Sequence, residues 1–120
     1  MASELEVSTF LNEIKAKLNT WGITGVVFVD SRSKNTQALL DLDITREDRF
    51  NLLKKLEVKD YSEGPKKEEI YGGNDMWVFG KEMKGKEIYI KIALGMNGSK
   101  VICISFHVAE HKMSYPLKKL

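Results

Sequence analysis

The stretch EIYIKIALGMNGSKVICISFHVAEH, residues 87–111, decides the fold. Two apolar runs flank a glycine-containing turn, and each run alternates apolar with polar or small residues. In a β-strand successive side chains point to opposite faces, so Ile88, Ile90 and Ile92 share one face, and Ile102, Ile104 and Phe106 share one face of the partner strand. These six are assigned to the core. Tyr89, Lys91, Ser105 and His107 then project together from the other face of the hairpin, as a solvated surface or as a site.

Working outward, MWVFGKEM at 76–83 reads as a further strand, joined to KEIYIKIAL by a turn at Lys84-Gly85; SKVICISFHVA follows a second turn at Gly95 to Ser99. Three strands in succession predict an antiparallel meander. Trp77, Phe79 and Lys81 share a parity, and either enter the core or extend the polar face with stacking surfaces for bases. Before the meander, residues 59–75 contain Gly64, Pro65, Gly72 and Gly73 and hold no steady period, which predicts a long polar loop bearing Tyr61 and Tyr71.

At the start of the chain Ser3 and Glu6 form a capping-box pattern, and Val7, Phe10, Leu11, Ile14 and Leu18 recur at helical spacing up to Gly22. A helix is expected over roughly residues 4–20. ITGVVFVD at 23–30 has the β-branched, apolar pattern of a buried strand that joins the main sheet. A brief helix around 35–42 and a third helix over 46–56, capped by Thr45 with Asp48, complete the order. The expected fold is α+β: N-terminal helix, strand, two helices, then a three-stranded antiparallel meander, in a single domain spanning 1–120.

Composition narrows the function classes. With 120 residues and 42% hydrophobic content the chain fits one core. It has no apolar run long enough to span a membrane, and the start MASELEVS lacks the regions of a secretory signal, so a cytoplasmic protein with no membrane partner is expected. The single cysteine, Cys103, excludes an internal disulfide and reads as a small packed residue. There is no P-loop, GxGxxG or HExxH motif and no dense acidic cluster, so no metal and no cofactor are expected.

Charge is unevenly placed. Residues 1–60 carry nine Lys/Arg against ten Asp/Glu, a net of −1, whereas residues 80–120 carry eight lysines against three acids, a net of +5. A basic C-terminal third with interspersed aromatics suits a polyanion, because phosphate binding is driven by charge and counterion release. It also suits a merely solvated face. Tyr, Lys and His together can cut RNA without a metal: a base takes the 2′-hydroxyl proton, a cation stabilises the phosphorane, and an acid protonates the departing 5′-oxygen. Tyr89, Lys91, His107 and His111 are the candidate catalytic residues, with Lys81, Lys84 and Lys86 as phosphate contacts.

The order of elements, with SKN at 33–35, DYSEGP at 60–65, DMWVFGK at 75–81, EIYIKI at 87–92 and ISFHVAEHKMSYP at 104–116, resembles the MqsR family of bacterial toxins. The resemblance covers residues 8–117. It implies a RelE-like fold, metal-independent cleavage of mRNA, and a cognate antitoxin as partner. The family's Tyr-x-Lys-Ile strand motif is matched by Tyr89 and Lys91. The basic residue after Ser-Phe in the last strand is here His107, while Val78 stands in place of a glutamine and the segment containing Glu63 in place of a lysine. Lys34 and Tyr115 complete the RNA-binding candidates. The alternatives are a non-catalytic module whose basic sheet face binds RNA or protein, and a structural protein with no site.

Overall fold

Ser3 closes the capping box foreseen for the first helix: its Oγ accepts from Glu6 N at 3.1 Å, and Glu6 Oε1 accepts from Ser3 N at 3.1 Å. In the computed structural model, which describes residues 1–29, 37, 40–67, 75–95 and 100–119, this helix is α1, Glu4–Trp21. Val7, Phe10, Leu11, Ile14 and Leu18 form its buried stripe. Thr45 caps α2, Arg46–Lys54, in the same way through Asp48. Of the brief helix expected at 35–42, residues 37 and 40–42 are helical and residues 35, 36, 38 and 39 lie outside the described residues, as do Lys34 and Tyr71.

The strands are β1 Val26–Phe28, β2 Tyr61–Lys66, β3 Met76–Met83, β4 Lys86–Leu94 and β5 Val101–Val108. They build one five-stranded mixed sheet in the order β1-β5-β4-β3-β2, so the class is α+β and the expected three-stranded meander is replaced by a larger sheet. Two strands make the difference. β1 pairs parallel with β5 at one edge, and β2 pairs antiparallel with β3 at the other. The reading of 23–30 as a buried strand is corrected, because residues Gly22–Gly25 form a 3-10 turn and among the described residues the strand is Val26–Phe28, with Val27 half exposed. The reading of 59–75 as a loop is corrected for its first part, where Tyr61 is fully enclosed.

One face of the sheet takes α1 and holds the core. Phe10 stacks on Trp77 with centroids 4.7 Å apart, and Tyr61 meets the edges of Trp77 and Phe79 at 6.3 and 6.2 Å. Trp77 is therefore a core residue and not a platform for bases. Ile88, Ile90 and Ile92 are fully buried against the same cluster, as the parity of β4 required. Among the described residues no helix is long and apolar enough to cross a membrane.

β5 departs from simple alternation. Lys91 lies opposite Ser105 but Ile92 lies opposite Cys103, so Ile104 is an extra residue, a β-bulge. The consequence is a change of parity within the strand: Val101 and Cys103 reach the core before it and Phe106 after it. The expected core set Ile102, Ile104 and Phe106 is thus corrected to Val101, Cys103 and Phe106. Ile102 is only half buried, and Ile104 is buried outside the core cluster.

Candidate active site

The odd positions of β4 face away from α1. Register places Tyr89 opposite His107 and Lys91 opposite Ser105, while on the other side Gly80 and Val78 of β3 lie opposite Tyr89 and Lys91. Residues directly opposite in an antiparallel pair share a face, so the strand ladder itself gathers these groups. The Tyr89 and His107 rings stack at 5.0 Å with 14° between their planes, and Lys91 Nζ lies 5.8 Å from the Tyr89 centroid. Both separations fall in the range where ring stacking and cation–π attraction operate.

His107 Nδ1 lies 2.9 Å from the Val108 carbonyl oxygen. A carbonyl only accepts, so Nδ1 carries the hydrogen and, in the neutral ring, Nε2 holds the lone pair. That is the tautomer a general base requires. His107 is 7% exposed, so the face is not the open surface expected from parity.

The chain after β5 and this face line the same cleft. Ala109 N donates to Glu87 O at 2.9 Å, and the segment then folds back so that Glu110, His111, Lys112, Met113 and Ser114 form one wall of a cleft of about 490 Å³. Ser62 and Glu63 of β2 line the opposite side, and Tyr89, Lys91, Ser105 and His107 form the floor. The Glu87 carboxylate anchors this strap, accepting from Met113 N at 3.2 Å and from Tyr115 Oη at 2.6 Å. Gly80 lies beneath it. A Cβ there would stand 2.8 Å from Met113 Sδ and closer still to the Tyr115 hydroxyl. Burial, and then the hydrogen bond to Glu87, push the Tyr115 hydroxyl well above the ordinary tyrosine range.

All four catalytic candidates, Tyr89, Lys91, His107 and His111, line this cleft. The phosphate candidates are dispersed. Lys81 pairs with Asp60 at 3.0 Å and lines a second cleft together with Tyr115. Lys84 Nζ donates to Asp43 O at 2.7 Å, and Lys86 is exposed at the start of β4. Of the two positions that depart from the family pattern, Val78 is fully buried beside Lys91, and Glu63 pairs with Lys66 at 2.8 Å.

Sequence reasoning missed Lys112 and Glu110 in the cleft wall and gave Ser105 no role. Lys112 had a signal in the basic C-terminal third. Ser105 had none beyond its parity, yet it is 1% exposed and its Oγ has no hydrogen-bond partner among the described residues. Leaving a buried hydroxyl unsatisfied costs about 1–3 kcal/mol. Among the described residues no group of three or more His, Cys, Asp or Glu side chains is placed to hold a metal ion. No protein-family model, curated protein or solved structure matches the chain.

Proposed function

We propose that the chain is a metal-independent endoribonuclease, a toxin of the MqsR-like, RelE-type kind that cuts mRNA in the cytoplasm and is restrained by a cognate antitoxin. The observation that carries this reading is the His107 ring, stacked on Tyr89 with Nδ1 tied to the Val108 carbonyl, in a cleft that also holds Lys91 and His111. His107 Nε2 takes the 2′-hydroxyl proton. The 2′-oxygen attacks the adjacent phosphorus, and the Lys91 ammonium offsets the charge that develops on the phosphorane. The 5′-oxygen leaves with a proton from His111, and Tyr89 holds the imidazole in plane.

The near-complete burial of His107 favours a second reading, in which the ring is structural and the cleft binds RNA without cutting it. One assay separates the two. Purified protein with single-stranded RNA in excess EDTA should yield fragments ending in 2′,3′-cyclic phosphate or 3′-phosphate. Retention of intact RNA, cleavage that stops on chelation, or fragments with free 3′-hydroxyls would exclude the proposed mechanism.

A further inference from the structure

We propose that Ser105 is the oxyanion-recognising group of the cleft, donating its hydroxyl hydrogen to a non-bridging oxygen of the bound phosphodiester. The assignment deepens the nuclease reading, on which it rests for the identity of the ligand. It starts from an incomplete hydrogen-bond inventory. Ser105 is 1% exposed and lines the cleft floor, and its Oγ has no partner among the described residues. Buried polar groups are satisfied in native proteins, and an exception calls for an explanation such as a catalytic role or a bound water or ion. The contact that Cys103 Sγ makes at 3.6 Å goes to the Ser105 carbonyl and leaves the hydroxyl unengaged.

The bulge at Ile104 supplies the second argument. With regular alternation Cys103 and Ser105 would share a face, but Cys103 lies opposite Ile92 on the core side and Ser105 opposite Lys91 in the cleft. Bulges re-aim side chains and are frequent beside active sites. Here the extra residue removes a hydroxyl from the core and delivers it to a cleft.

The neighbours define the ligand's charge. Lys91 faces Ser105 directly, and Lys112 stands in the wall. Of the two carboxylates that line the cleft, Glu63 pairs with Lys66 at 2.8 Å and Glu110 is an exposed residue. A neutral donor between an ammonium and an imidazole suits an oxyanion. A phosphate oxygen would complete the hydroxyl's bonding while Lys91 balances its charge.

The test is Ser105→Ala, read in two ways. Inorganic phosphate is titrated into the wild-type protein and the variant while the His107 ring protons are followed by NMR, and the Tm of each is recorded without ligand. Phosphate should shift the wild-type signals and bind the variant about tenfold or more weakly, the loss of one hydrogen bond to a charged acceptor. The Tm should be unchanged or higher, because an unsatisfied hydroxyl has been removed. Single-stranded RNA with 2′-O-methyl riboses, which cannot be cut, should show the same loss. Equal affinity in the two proteins, no phosphate shift in the wild type, or a lowered Tm would each overturn the assignment. If the wild type cuts no RNA, the phosphate titration still decides the role of Ser105; if it cuts RNA and the titration is insensitive to Ser105, the assignment alone falls.

Discussion

Gly80 shows how much a single side chain decides at the residue scale. The strap that walls the cleft rests on it, and a methyl group there meets the Met113 sulfur and the Tyr115 hydroxyl. Gly80→Ala should therefore cost about 1–3 kcal/mol by overpacking and displace the strap, read as a lowered Tm with altered His111 signals. Tyr115 adds a dependence on pH. Its folded-state pKa is raised above the ordinary value of about 10, so its stabilising contribution is complete below pH 10 and is lost as pH rises through the folded value. Tyr115→Phe should consequently be less stable than the wild type at neutral pH and show a smaller loss above pH 10, measured by denaturant unfolding across that range. Tyr89 and Lys91 were legible in the sequence because strict alternation in β4 fixes their face, and His107 because it follows Phe106, which takes the core side after the bulge. The low exposure of His107 and the return of residues 109–115 to the same cleft were not, since both depend on contacts between distant parts of the chain.

At the scale of elements, the helices were legible because their ends carry local chemistry. The capping boxes at Ser3 and Thr45 form as their spacing required. Backbone and side-chain hydrogen bonds from Thr45 hold the Asp48 carboxyl below the usual carboxylate range. Its contribution is thus present above the unfolded pKa of about 4 and lost as pH falls through the folded value. Thr45→Ala should lower stability by about 1 kcal/mol, whereas Asp48→Ala, which removes the acceptor of the Thr45 backbone N–H, should lower it at neutral pH and by less in acid, where the wild-type carboxyl is protonated. The sheet edges were less legible. β2 contains Gly64 and Pro65 and has two register shifts against β3, so its composition reads as a turn while its pairing makes it a strand. β1 is shortened by the 3-10 turn, where Gly25 lies against α1: a Cβ would come within 3.1 Å of the Lys17 carbonyl. The bulge at Ile104 is set by pairing with β4, and periodicity within β5 alone could not reveal it.

For the molecule as a whole, the basic C-terminal third is not a single patch. Lys81 and Lys84 are engaged elsewhere, and Lys91 and Lys112 are the lysines that line the cleft. Lys112→Ala should weaken RNA binding and reduce the slope of log affinity against log salt by about 0.7, the value for one phosphate contact on a single strand. Lys84→Ala should leave both unchanged. The α+β class was legible from the order of periodic segments, whereas the five-stranded mixed sheet required pairings between residues far apart in the chain, Val26 with Val101 and Tyr61 with Phe79. The central claim is that His107 does chemistry in the cleft this architecture encloses, and His107→Gln tests it most directly. Losing the stack on Tyr89 should cost about 0.5–1.5 kcal/mol, leaving a folded protein with a Tm lower by a few degrees. RNA cleavage per folded molecule should fall by about 10²–10⁴-fold, the contribution of a general acid or base. Cleavage that declines only in proportion to the folded fraction would contradict the account and leave His107 a structural residue.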